Sequence, residues 1–233
     1  MSTLAYRTAL IIGAGPGISA SLARRLSQHG LQVGLAARNA DKLQALAQET
    51  GGAAFAVDAT QPDQMAQLFL DMERQVAVPD VVIYNASARV PGPLANVDPA
   101  AVEKAIAVSA FGAFLAAQQA AKRMEPKGYG AIFFTGASAG AKGFAQSAAF
   151  AIGKFGMRGL AQSAARELGP KGIHVAHFNI DGRVRSARRP EPSDQPDSTL
   201  DPDAIAQTYI DVLVQPRNAW SHEIDLRPWT ERF

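Results

Sequence analysis

The sequence predicts an α/β protein: one domain spanning residues 1–233, built on a doubly wound parallel sheet of six or seven strands with helices on both faces. Three observations carry this. Short β-rich runs alternate with longer helical patterns, which calls for βαβ units and a parallel sheet buried on both sides. The first of those runs ends in a glycine-rich turn that opens a helix. The composition, 47% hydrophobic and 19% charged over 233 residues, suits a single globular unit with a sizeable core.

The elements follow in order. "TALII" (8–12) is the first strand, and an Ala/Leu/Arg helix runs from the turn to His29. "LQVGLA" (31–36), the helical "ADKLQALAQE", "AAFAV" (53–57) and another helical stretch continue the alternation. "VVIY" (81–84), "AIFFT" (131–135) and "HVAHFNI" (174–180) are further strands, separated by Ala-rich helices around 99–124 and 144–169. Residues 182–203, rich in Pro, Arg, Asp and Ser, read as an irregular substrate loop or lid. A short helix and a last strand near "SHEIDL" close the chain.

Composition excludes several functions. There are 23 Lys and Arg against 21 Asp and Glu, a formal charge of +2 without a concentrated basic run, so no nucleic-acid partner is expected. With no cysteine, disulfides, thiolate metal sites and cysteine nucleophiles are ruled out, and the four histidines lack metal-binding spacing. The N-terminal apolar run is too short for a signal peptide, and no later run approaches a membrane span. The expectation is a cytoplasmic protein with no membrane partner and no metal.

The turn "IIGAGPGIS" places Gly13, Gly15 and Gly17 where a strand meets a helix N-terminus. Such a turn lets the backbone approach a pyrophosphate, whose charge the free N–H groups and the helix dipole favour. At the end of the second strand, "LAARNADKL" has no acid to hold ribose hydroxyls. Arg38 stands there instead, suited to a 2′-phosphate, so NADP(H) is preferred over NAD(H). Asp58 in "AVDAT" is placed to accept from an adenine amino group or to cap the following helix, and the two roles are compatible.

These marks, with "YNAS" (84–87) and the Lys154 helix followed by "ARELGPKGIHV", resemble the short-chain dehydrogenase/reductase family over nearly the whole chain. The resemblance implies a Rossmann-type fold in which Gly13, Gly17, Ile18, Arg38, Asp58, Ala59, Asn85 and Ala86 line the cofactor site. It implies that Lys154 binds the nicotinamide ribose and lowers the pKa of a catalytic tyrosine. It also implies a small-molecule substrate and a homodimer or homotetramer built through the two long helices. The small residues of 144–165 permit such contact and equally suit packing on the sheet.

The departures fall on the chemistry. The family's tyrosine position, four residues before Lys154, holds Phe150. Its serine position holds Ala137, its helix asparagine falls at Ser109, the last glycine of the turn is Ser19, and the proline after the sixth strand is Asp181. If the helix covers 144–169, Ser147, Phe150 and Lys154 share one stripe. Ser147 and Ser138 are then the candidate hydroxyls beside Lys154 in the catalytic set, and both equally suit a loop and a helix start as plain polar residues. Arg183, Arg185, Arg188 and Arg189 crowd the loop at the carboxyl end of the sheet, where ligands bind in such folds. An anionic substrate or the cofactor's phosphates would satisfy them, as would Glu191 and Asp194 of the loop itself. Two functions follow: an NADP(H)-dependent oxidoreductase of a small carbonyl or alcohol with an atypical proton donor, or a catalytically silent NADP(H)-binding sensor or assembly protein.

Overall fold

The computed structural model describes residues 4–231. Seven strands run parallel in one sheet: β1 (Thr8–Ile12), β2 (Gln32–Ala37), β3 (Ala53–Ala56), β4 (Val81–Tyr84), β5 (Gly130–Thr135), β6 (Ile173–Ile180) and β7 (Glu223–Leu226). Their order is β3-β2-β1-β4-β5-β6-β7. The chain therefore starts mid-sheet, winds outward through β3, and returns to the other side of β1 at β4. The crevice beyond the carboxyl ends of β1 and β4 is where such a sheet binds ligands, and the register sets Ile12 beside both Ala36 and Tyr84 there.

Helices cover both faces. Residues of α3 (Pro62–Gln75), α5 (Gly112–Met124) and α6 (Ala148–Leu168) pack on one side, among them Met65, Phe69, Ala116, Ala120, Met157 and Ala161. On the other side α1 (Ile18–Gln28), α2 (Gln44–Thr50) and α7 (Pro202–Leu213) contribute Leu22, Leu26, Ala47, Ile205 and Tyr209. Proline at the first turn of α3 and α7 sits where its missing N–H costs nothing.

Between α4 (Pro99–Ile106) and α5, residues Ala107–Phe111 widen into a π-turn. Ser109 is its buried centre, and its Oγ accepts the N–H of Ala88 at 3.2 Å. Helix α6 presses on this turn at Gly153, where a Cβ would come within 2.6 Å of the Ser109 Cβ, so any larger residue separates the two helices. Gly156 lies against Ala110, while Gly159 faces open space. The small residues of α6 thus divide between internal packing and an outward face.

Three sequence expectations change. The last long helix starts at Ala148, not 144: Gln146 has φ +58°, and Ser147 is the N-cap residue, outside the helical stripe. The lid ends at Asp201, because Pro202 and Asp203 open α7, and it is pinned by a Val184–Leu200 bridge and by Arg185 bonds to Glu191 and Asp201. The continuous helix Pro99–Lys127 is long and apolar enough by composition to cross a membrane. Here one side of it packs into the core, through Ala113, Ala117 and Ala120, while Phe111 and Phe114 on it are exposed. Of the N-terminal stretch read for a signal peptide, residues 1–3 lie outside the described residues.

Candidate active site

Two adjoining cavities open at the carboxyl edge of the sheet. The first, of about 430 Å³, is lined by Gly13, Arg38, Asp58, Ala59, Asn85 and Ala86. The second, of about 790 Å³, is lined by Ile18, Asn85, Ser138, Ser147, Phe150 and Lys154, with β5 and the lid around them. Asn85 belongs to both. Gly15 and Gly17 line neither; they form the turn between the cavities, with Gly17 the N-cap residue of α1.

The first cavity exists because the turn hugs the end of β4. A Cβ on Gly13 would lie 2.3 Å from the Ala86 nitrogen, and its φ of +83° also demands glycine. Ser19 ties this junction: its hydroxyl donates to the Gly13 carbonyl at 3.3 Å and accepts from Asn85 Nδ2 at 2.6 Å. Asp58 Oδ1 accepts from the Thr60 N–H and hydroxyl, and these bonds hold its carboxyl below the usual carboxylate range. The N-cap of α3 is Gln61, so Asp58 shapes the turn before that helix and does not cap it. Arg38 and Lys104 bring positive charge to the same cavity, and among the described residues neither is held in an ion pair. The close backbone approach at Gly13 leaves room for a ligand against the turn, and Arg38 and Lys104 make this groove favourable to negative charge.

In the second cavity Lys154 is buried, 3% exposed, and its Nζ donates to the Thr135 carbonyl at 2.7 Å. No carboxylate lines the cavity. Burial, with the nearby Arg89 charge adding to it, pushes the Lys154 ammonium down to about 7. Phe150, also buried, lies with its ring centre 5.8 Å from Nζ. Tyr84 and Tyr209 are committed elsewhere, to the Val108 carbonyl and the Thr135 hydroxyl, and neither they nor Tyr129 line this cavity. Among the described residues no His, Asp or Glu cluster could hold a metal.

The four loop arginines separate. Arg183 and Arg189 face the second cavity, Arg185 pairs with Glu191 and Asp201, and Arg188 lines neither cavity. Glu191 is thus a partner, as one reading expected, while Asp201 takes the place read for Asp194. Asp181 pairs with Arg227 at 3.6 Å. The sequence reading missed Arg89 and Lys104. The signal for Arg89 was its place just beyond β4, at the ligand-binding edge.

A family model described as short chain dehydrogenase matches residues 7–187. The chain belongs to the short-chain dehydrogenase/reductase family. The family is one of NAD(P)-dependent oxidoreductases. A crystal structure of a short-chain dehydrogenase from Rhodopseudomonas palustris superposes with a TM-score of 0.83 at 35% identity, covering 96% of this chain and 99% of that one. A metagenomic short-chain oxidoreductase in complex with NADP gives 0.84 at 29% identity, covering 97% and 99%. An uncharacterized oxidoreductase of Staphylococcus aureus (strain N315) is 26% identical over 98% of this chain and 100% of its own length. A cis-4-hydroxycyclohexanecarboxylate dehydrogenase of Sinomonas cyclohexanicum is 33% identical over 64% of this chain and 62% of that protein.

Proposed function

We propose that this short-chain dehydrogenase/reductase is NADP(H)-dependent, reduces or oxidises a small anionic carbonyl or alcohol compound, and takes its proton from Lys154 where the family uses a tyrosine. One observation carries the reading: Lys154 is the titratable side chain that is buried, turned to the cavity and free of any carboxylate partner. A base whose proton affinity sits near neutral pH is matched to general acid and base work. Its counterpart Phe150 has no exchangeable proton.

Gly13, Ile18, Asp58, Ala59, Asn85 and Ala86 would hold the cofactor, and Arg38, with Lys104 near it, favours a 2′-phosphate. When bound, the cofactor supplies or accepts the hydride. Lys154 Nζ gives its proton to the substrate oxygen in reduction and recovers it from solvent at the cavity mouth. The hydroxyls of Ser138 and Ser147, which line the same cavity, orient that oxygen. Arg183 and Arg189 supply the preference for a negative substrate, a preference consistent with the hydroxy acid named for the Sinomonas relative. The outward stripe Ile152, Phe155 and Gly159 on α6, with Phe111 and Phe114 also exposed, supports assembly through the long helices as a homodimer or homotetramer. A cytoplasmic location accords with the cofactor.

Steady-state NADPH oxidation across a panel of oxo acids and neutral ketones tests this reading. Turnover that falls as pH rises above about 7 is the expected result. NADPH that raises the melting temperature without any turnover would favour instead a silent NADP(H) sensor, a reading whose supporting observation is the phenyl ring at the tyrosine position.

A further inference from the structure

We propose that Arg89 recognises the substrate's charged end and that the substrate carries a carboxylate, an assignment that rests on the oxidoreductase reading of this cavity. Arg89 leaves the chain four residues beyond Asn85. Its guanidinium carbon sits 4.1 Å from the centre of the Phe150 ring, so an aromatic face holds it in place of a counter-ion. One residue earlier, Ser109 fixes the backbone through the Ala88 N–H.

The opposing wall brings Arg183 and Arg189 into the same cavity, and no Asp or Glu lines it. Among the described residues none of the three forms an ion pair, whereas Arg185 of the same lid has two carboxylate partners. Desolvation and the charge of Arg189 both make the Arg89 cation less favourable. Like charges gathered without an acid are relieved when an anion enters, and a carboxylate matches the guanidinium fork in its plane. A neutral substrate leaves that repulsion in place. Phe150 acquires a purpose here: a ring at the tyrosine position that carries no acid still offers the face on which Arg89 rests.

Cofactor phosphate is the competing source of negative charge, and the experiment separates the two. The full chain is titrated calorimetrically with benzoate and with benzamide, its neutral counterpart, alone and with NADP⁺ present. Benzoate is expected to bind more tightly. Arg89→Gln should weaken benzoate by roughly 10- to 100-fold while leaving benzamide and NADP⁺ unchanged. Arg89→Lys should recover part of the loss, since it restores charge without the fork. Arg189→Gln, in the lid, provides a second variant with a smaller loss of the same kind. Equal or absent binding of the two probes by the unaltered chain overturns the proposal, as does an Arg89→Gln variant that loses NADP⁺ as strongly as benzoate. Discrimination of benzoate by a chain that does not bind NADP⁺ would keep the carboxylate site and overturn the oxidoreductase reading.

Discussion

Phe150→Tyr places a phenol where the resemblance expects one, and the surrounding charges set how it should behave. Arg89 stands 4.1 Å above the ring centre, which puts a phenol oxygen about 5 Å from that charge. At an effective dielectric of about 20, this favours the phenolate by about 3 kcal/mol, or roughly two pKa units. Lys154, 5.8 Å from the ring centre, acts in the same direction whenever it is protonated. Burial opposes both, as it does at Tyr6, which desolvation raises to about 12. Near pH 10 Lys154 is neutral, so the Arg89 charge and burial roughly cancel, and the phenol should titrate near the ordinary tyrosine value of about 10, below buried Tyr6 at about 12. If proton delivery limits the reaction, NADPH-dependent reduction should rise by about 10²–10⁴-fold, equivalent to about 3–5 kcal/mol of barrier. Stopped-flow reduction rates and difference absorbance of the tyrosinate across pH measure the two quantities independently. An unchanged rate together with a phenol that titrates at or above the Tyr6 value of about 12 would refute the placement of Phe150 and Arg89 at the reacting centre.

Lys154→Met should abolish reduction yet leave the fold more stable by about 1–3 kcal/mol at pH 7, since it removes a buried cation without a counter-charge; denaturant midpoints decide. The sign follows from the lysine's depressed pKa: its folded form binds protons less readily than the unfolded chain, so the native protein loses stability as pH falls from about 10 toward about 7, and the Met variant should lack that slope. Arg38→Ala should weaken NADPH by about 1.5–3 kcal/mol and NADH hardly at all, read by fluorescence titration of the two cofactors. Phe155→Asp, on the outward face of α6, should shift the sedimentation coefficient to that of a monomer while leaving NADPH binding intact; an unaltered sedimentation profile would remove α6 from the assembly face.

Periodicity and glycine turns make the sheet readable because strand alternation and buried helix faces are local properties. Six of the seven strands lie within a residue of the runs that predict them, and β7 starts two residues into its run. That Gly13, Arg38, Asp58 and Asn85 line one cavity was legible for a related reason: they sit at or just beyond strand ends, and the fold fixes where those ends meet. The start of α6 was not legible, because Phe144 to Ser147 have acceptable helical composition and only the positive φ of Gln146 breaks the pattern. The arginines show the other limit. Four residues close in sequence divide among a cavity, a salt-bridge pair and solvent, and the cation that meets them across the cavity, Arg89, comes from about a hundred residues away. Such a meeting depends on tertiary contact alone. The π-turn likewise has no sequence mark, since it arises from Ser109 being clamped between Gly153 and the Ala88 N–H.

The segment from Asn85 to Ala88 is fastened at each end by a serine hydroxyl, Ser19 at Asn85 and Ser109 at Ala88. Neither fastener is ionisable in the working range of pH. The scaffold under the site thus keeps one shape while the lysine beside it gains or loses its charge. If Lys154 delivers the proton as proposed, a pH profile of this protein reports occupancy of that proton site, because neither fastener titrates with it.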